Sequence, residues 1–356
     1  MVRLRQMDTY LYLAQRQGRL SFYITSTGEE AAIVASAAGL DPSDLVYGQY
    51  REGGVMVWRG MSLERMIDFC VSNKDDPYKG RTNPMLYGSR ELNVVAMSAP
   101  LGTQLPHAVG SAYAIKRRQE NRVVICYFGD GAASEGDAHA AFNFAATLKC
   151  PVIFFCRNNG YAISTPVSEQ YVGDGIASRG QGYGMPAIRV DGNDVLAVYN
   201  GIKRAREICL TESRPVLVEA MTYRVGGHST TDDSRYYRES AEADQWAEKH
   251  NPIDRWGKYC IDNGCLKESE VPDIYEVAKK EVLTALDAAT AKSKPSLKYM
   301  MTDVYSEMPE SLQRQFSDLL LHLSKYEDKY DVYKTLESIE TKKHNINKER
   351  NQNIYY

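Results

Sequence analysis

Gly129-Asp130-Gly131 is followed, after 26 residues, by the pair Asn158-Asn159. A carboxylate and a carboxamide oxygen are hard donors suited to Mg²⁺, which prefers octahedral oxygen and commonly shares its sites with phosphate groups. Gly129 and Gly131 let the backbone approach a diphosphate, and a helix starting just beyond them turns free N–H groups toward an anion. Arg157 adds a forked donor beside Asn158. Taken alone, Asp-Gly after a strand is most often a turn. The spacing decides otherwise, because it requires both clusters to reach the same edge of a sheet. A third group lies in a loop further on, where Gly226-Gly227 precede His228. His107 and His139 fall on helical patterns instead and are expected to be structural.

The elements that must position these groups can be read from the pattern of apolar residues. Arg122 to Phe128 (RVVICYF) predicts a buried strand, Ser134 to Leu148 an Ala-rich helix, and Pro151 to Cys156 (PVIFFC) a second strand. That is a βαβ passage. Ala187 to Val190 predicts a short strand and Asp191 to Asp194 a turn and helix cap, while Val195, Val198, Ile202, Ala205 and Cys209 fall on one helix face. Pro215 to Met221 then returns as a strand. Strands alternating with helices imply an α/β fold: a mostly parallel sheet with helices on both faces, with ligands at the carboxyl edge of the strands. The loops after Phe128, Cys156 and Met221 leave that edge.

At about 150 residues per domain, 356 residues allow two ordinary domains or one large α/β unit. No repeat or linker divides the first three hundred residues. The expected division is therefore one domain over 1–302, a helical extension over 303–340 and a disordered, Lys/Asn-rich tail over 341–356. Forty-three basic against forty-six acidic residues argue against a nucleic-acid footprint. The apolar runs fall far short of the ~18 residues a bilayer span requires, so no membrane contact is expected. Seven cysteines form no even framework, which suggests a reducing compartment, and Cys260 and Cys265 are expected to be small buried hydrophobes. Met1 to Tyr12 shows neither a signal-peptide core nor a transit-peptide pattern.

The GDG…NN pair is similar to the thiamine-diphosphate motif. The stretch GDGAASEGDAHAAFNFAATLKCPVIFFCRNNGYAIST from Gly129 to Thr165 resembles the E1α family of branched-chain 2-oxo acid dehydrogenases. The resemblance extends to GQYREGG at Gly48 to Gly54, APLGTQLPHAVG at Ala99 to Gly110, TYRVGGHST at Thr222 to Thr230 and DVYSEMP at Asp303 to Pro309. It implies a thiamine-diphosphate-binding fold and the oxidative decarboxylation of branched-chain 2-oxo acids, with the acyl group passed to the lipoyl domain of an E2 acyltransferase. E1α of pyruvate dehydrogenase is the alternative, and a non-catalytic, phosphate-binding regulatory subunit a more distant one.

The resemblance also implies roles. Asp130, Asn159 and the carbonyl of Tyr161 match Mg²⁺ ligands, and Tyr50, Arg51, Gly131, Ala132 and Arg157 match cofactor contacts. Leu101 matches a support for the bent cofactor. Ser98, Pro100, Thr103 and Gln104 match a structural K⁺ site, though Thr103 also stands where a helix cap would. His228 matches the active-site histidine. Ser229 matches a regulatory phosphorylation site, implying a kinase and a phosphatase. The chain departs from the family at Ala99, Gly227 and Asp130, where relatives have Ser, His and Glu. The expected partner is an E1β subunit in an α2β2 heterotetramer, because the carboxylate that activates the cofactor belongs to a second domain type. The expected location is the mitochondrial matrix.

Overall fold

Residues 1–330 are described by the computed structural model. Five strands form one sheet: β1 (Leu45–Tyr47), β2 (Val124–Gly129), β3 (Val152–Asn158), β6 (Ala187–Asp191) and β7 (Val216–Met221). Their order is β1-β2-β3-β7-β6 and every neighbouring pair is parallel. Two short strands, β4 (Tyr161–Ala162) and β5 (Thr165–Pro166), make a separate antiparallel hairpin.

A sheet buried on both faces needs strands that are apolar at every position rather than at alternate ones. The alternating side chains accordingly feed two cores. Ile125, Tyr127, Ile153, Phe155, Val216 and Val218 pack with the helices Val2–Arg16, Glu30–Ala38, Leu63–Val71, Val195–Glu212 and Val271–Ala291. Val124, Cys126, Phe128, Val152, Phe154, Cys156 and Leu217 pack with Gln104–Arg117 and Gly136–Leu148. This is the expected arrangement of helices on both faces.

Three details differ from the sequence reading. β3 continues to Asn158, where it still pairs with Met221 of β7, so the second loop starts at Asn159 rather than Arg157. The helix expected from Ser134 starts at Gly136, because Ala132–Ser134 first make a 3₁₀ turn. Cys265 is exposed and Cys260 partly so, in place of the buried positions expected of them. The amino-terminal helix gave no clear signal, since Arg3, Arg5 and Asp8 interrupt its apolar stripe. Yet Leu4, Met7, Leu11 and Ala14 are all buried. No helix among the described residues is long and apolar enough to cross a membrane. Past residue 302 the chain forms the helix Glu310–Lys325. The remainder of the expected extension, 331–340, and the tail expected over 341–356 lie outside the described residues.

Candidate active site

Parallel pairing of β2 with β3 places Gly129 opposite Arg157. The two chains therefore leave the sheet side by side, and Asp130 and Asn159 meet just beyond it. The Asn159 backbone N–H lies 3.4 Å from Asp130 Oδ1, and the Tyr161 N–H lies 3.3 Å from Asn159 Oδ1. Gly160, at φ 90°, makes the turn between them, a conformation open mainly to glycine. Asn158 meets the cluster only through its Oδ1, which lies 3.4 Å from the Gly160 N–H. Its amide donates to Glu219 at 2.8 Å and to Tyr171 Oη at 3.0 Å.

Asp130 is almost fully buried, and burial raises its pKa above the ordinary carboxylate value. Its nearest donors are neutral: the Gln170 amide at 2.8 Å and the Asn159 N–H. A buried carboxylate facing neutral amides is a group whose environment favours a cation. Among the described residues no cluster of three or more His, Cys, Asp or Glu is placed to hold a metal. The donor set offered here is mixed, one carboxylate, one carboxamide and nearby carbonyls, which suits a hard ion. Across the β4–β5 hairpin Tyr161 faces Pro166, which has no N–H to give to its carbonyl. Gly131 proves necessary for the hairpin itself, since a Cβ there would stand 2.6 Å from Ala162 Cβ. Ala132, next in the chain, opens the 3₁₀ turn.

The basic side chains of the site are buried and held. Arg157 donates to Glu29 at 2.6 Å and to Glu52 at 2.7 and 3.1 Å. Burial alone would lower its pKa, but Glu52 and Glu29 outweigh that and raise it. Arg51 donates to the Thr25 carbonyl and, at 2.8 Å, to the His228 carbonyl. Its guanidinium also lies 3.4 Å from His228 Nδ1 and 3.8 Å from Glu29. Tyr50 stands edge-on to the His228 ring, 6.0 Å between centroids, with Arg51 over its own ring at 5.3 Å. His228 is driven down to about 4, first by burial and then by Arg51 and Arg224, so the ring is neutral at neutral pH.

A network of side chains fixes the loop that carries His228. Asp232 accepts the His228 N–H and the Tyr237 hydroxyl, each at 2.6 Å. Tyr237 in turn accepts from Arg224 at 2.7 Å, and Arg224 also donates to the carbonyl of Ile163 at 2.6 Å. Ile163 is a β-branched residue held at φ 55°, an unusual conformation for that type, so Arg224 ties a strained hairpin to the histidine loop. Arg238 donates to the carbonyls of Val225 and Gly226 at 2.8 and 2.6 Å. Ser229 is 9% exposed, with its hydroxyl 2.9 Å from that of Thr231. A Cβ at Gly227 would stand 3.2 Å from Asp232 Oδ2, so a side chain there would make that carboxylate give by a few tenths of an ångström.

The remaining positions lie on the turn that leads into the helix Gln104–Arg117. Thr103 does not cap its helix through its side chain. Its hydroxyl instead lies 3.2 Å from Ser98 Oγ and donates to the Pro100 carbonyl at 3.0 Å. Gln104 is buried, and its amide donates to the Tyr127 carbonyl at 3.1 Å. Leu101 is 40% exposed on the same turn. Glu29, Glu52, Gln170, Arg224, Tyr237 and Arg238 were not found from sequence. Glu52 and Arg224 lie inside the stretches GQYREGG and TYRVGGHST, and for Glu29 the available signal was the acidic pair Glu29-Glu30 ahead of the Ala-rich stretch Ala31 to Ala38.

The dehydrogenase E1 component family matches residues 1–298. The chain is 56% identical to the 2-oxoisovalerate dehydrogenase subunit alpha, mitochondrial, of Caenorhabditis elegans, over 95% of this chain and 78% of that protein. It is 54% identical to the proteins of the same name in Homo sapiens and Mus musculus, over 93% of this chain and 75% of each. With this extent of match on both measures, the chain belongs to the dehydrogenase E1 component family.

Proposed function

We propose that this chain is the alpha subunit of a branched-chain 2-oxo acid dehydrogenase, acting as 3-methyl-2-oxobutanoate dehydrogenase (2-methylpropanoyl-transferring) in the mitochondrial matrix. The substrates are the 2-oxo acids derived from leucine, isoleucine and valine. The observation that carries the reading is the meeting of Asp130 and Asn159 at the ends of β2 and β3, beside Arg51 and His228. The names of the relatives supply the substrate class.

The residues fit the group this family uses. Thiamine diphosphate, when bound, supplies a nucleophilic carbon that attacks a 2-oxo carbon and accepts the electron pair left when CO₂ departs. Asp130, Asn159 and the Tyr161 carbonyl would hold Mg²⁺, with Tyr50, Arg51, Gly131, Ala132 and Arg157 around the diphosphate. Leu101 would support the cofactor's bend, and Ser98, Pro100, Thr103 and Gln104 would hold K⁺. His228, a neutral ring, would stand beside the bound cofactor. Its Nδ1 faces an Arg51 N–H, so the ring proton sits on Nε2, from which it can donate a hydrogen bond that positions the lipoyl dithiolane as the acyl group passes to it.

The remaining catalytic carboxylate comes from an E1β subunit in an α2β2 heterotetramer, and the acceptor is the lipoyl domain of E2. Ser229 is the site of a regulatory kinase and phosphatase. A phosphate there would add a charge of about −2 next to Asp232, the acceptor that holds the His228 N–H.

The test is co-expression with a candidate β subunit, followed by cofactor-dependent CO₂ release from 3-methyl-2-oxobutanoate and from pyruvate. Preference for the branched acid is expected. Preference for pyruvate would assign the chain to pyruvate dehydrogenase. Lack of both turnover and cofactor-dependent thermal stabilisation would favour a regulatory subunit.

A further inference from the structure

Glu29 lies outside every motif that identifies this site, yet three of the site's side chains converge on it. It is fully buried at the residue before the helix Glu30–Ala38. Its Oε2 is 2.6 Å from Arg157, its Oε1 is 2.8 Å from the Asn159 side-chain nitrogen, and Arg51 Nε lies 3.8 Å away. With two permanently charged guanidiniums against its oxygens, Arg157 at 2.6 Å and Arg51 at 3.8 Å, the group is held as a carboxylate. Such a group accepts hydrogen bonds and cannot donate them.

That restriction has a consequence for Asn159. The two ends of a carboxamide are nearly equal in size, and only its hydrogen-bond partners decide which end points where. Facing an acceptor, Asn159 must turn Nδ2 toward Glu29. Its Oδ1 is then directed to the opposite side, where the Tyr161 N–H lies at 3.3 Å and Asp130 closes the cluster. Charge balance for Arg157 does not by itself require this contact, because Glu52 already receives two of its hydrogen bonds.

We propose that Glu29 is a positioning residue for the metal: by accepting from Asn159 Nδ2 it fixes the carboxamide so that oxygen, and not nitrogen, faces Mg²⁺. The proposal rests on the reading of Asp130, Asn159 and Tyr161 as the metal-holding set. Outer partners that orient a ligand typically change metal affinity by about 10-fold to 100-fold when removed.

The experiment uses the full chain co-purified with its β subunit and reads the thermal shift produced by thiamine diphosphate across a Mg²⁺ titration. In Glu29→Gln the partner can donate as well as accept, so Asn159 is free to flip. The half-saturating Mg²⁺ is expected to rise about 10-fold to 100-fold, with the full shift recovered at high Mg²⁺. Glu30→Gln alters the neighbouring buried carboxylate, whose partners are Arg5 and the Gly28 N–H and not Asn159 or Arg157, and is expected to leave the Mg²⁺ midpoint in place. Asn159→Asp should respond poorly, because two carboxylates then oppose each other. Glu29→Gln/Asn159→Asp should recover the response, because the amide introduced at position 29 donates to the carboxylate introduced at position 159; this pair carries the test even if the single Glu29 variant does not accumulate.

A wild-type midpoint in Glu29→Gln, an equal rise in Glu30→Gln, or a double variant no better than Asn159→Asp would each overturn the proposal. If the wild-type complex itself shows no Mg²⁺-dependent shift, the metal reading fails first and this inference falls with it.

Discussion

Arg51 grips His228 at two points, its Nη2 standing 3.4 Å from the ring Nδ1 and donating to the backbone carbonyl at 2.8 Å. A guanidinium stays protonated at all accessible pH and only donates, so Nδ1 is forced to accept and the neutral ring carries its proton on Nε2. Burial disfavours the imidazolium, and the nearby cations Arg51 and Arg224 oppose it further, against weaker support from Asp232 and Glu29.

The His228 ring is therefore expected to titrate near pH 4 in the folded chain, against about 6.5 for a free histidine. The unfolded chain takes up this proton first as pH falls, so the contribution to stability is complete above about 6.5 and is lost on the way down to 4. A ¹³C-histidine NMR titration, assigned with His228→Asn, reads the midpoint directly. Replacing Arg51 with Met should move it upward, though only in part, because burial is the larger cause. A midpoint near 6.5 in the native chain would contradict this account of the site.

How much could be read in advance depended on how local the determining interactions were. The βαβ passage from Val124 to Asn158 was legible because strand and helix periods follow directly in the chain, and its parallel pairing then brings Asp130 to Asn159. Glu29 reaches Arg157 across 128 positions, and Glu52 reaches it across 105. No local pattern encodes such a pair, and a charged residue in sequence looks like surface. The helix Val2–Arg16 was missed for a related reason. Asp8, which breaks its apolar stripe, is buried through bonds to Tyr23 and Ser26.

Asp8 is the second group expected to leave a pH signature. Its carboxyl accepts from the Tyr23 hydroxyl at 2.9 Å and the Ser26 N–H at 2.6 Å, but burial, with Glu30 nearby and Arg5 opposing, pushes it up to about 7. The sign is opposite to that of His228. The native carboxyl holds its proton longer than the unfolded one, so this group's contribution is full below about 4 and is lost as pH rises to about 7. Asp8→Asn can accept from Ser26 and donate to Tyr23, and its melting temperature should be flatter than that of wild type between pH 4 and 7. Asp8→Ala leaves buried donors without partners, at a cost of about 1–3 kcal/mol. Parallel melting curves for wild type and Asp8→Asn would rule this out.

Gly131 offers a steric test of how the two loops meet. With a Cβ 2.6 Å from Ala162 Cβ, Gly131→Ala should push the β4–β5 hairpin away from Asp130. Overpacking of this kind costs about 1–3 kcal/mol. The Mg²⁺-dependent thermal shift by thiamine diphosphate should weaken in step. Ala162→Gly removes the opposing methyl group, so Gly131→Ala/Ala162→Gly should recover most of both losses. If Gly131→Ala loses cofactor response and the second substitution restores only stability, then the glycine serves close approach of the ligand rather than of the hairpin.

The histidine loop is expected to open when charge is placed at Ser229. That hydroxyl is nearly buried and sits in the turn that Asp232 closes by accepting the His228 N–H and the Tyr237 hydroxyl. Asp232 has a depressed pKa because the Tyr237 hydroxyl, the His228 N–H and nearby Arg224 outweigh its partial burial, so it is ionised and repels a second anion. Ser229→Glu should loosen the loop, while Ser229→Ala, which loses one hydroxyl contact to Thr231, should not. Trypsin reports the difference, because Arg238 is buried against the carbonyls of Val225 and Gly226 and is cut only once the loop opens. Cleavage there is expected to be roughly tenfold faster in Ser229→Glu, equivalent to about 1.4 kcal/mol less protection. Equal cleavage rates in the two variants would mean that charge at Ser229 acts by obstructing the site and not by releasing its loop.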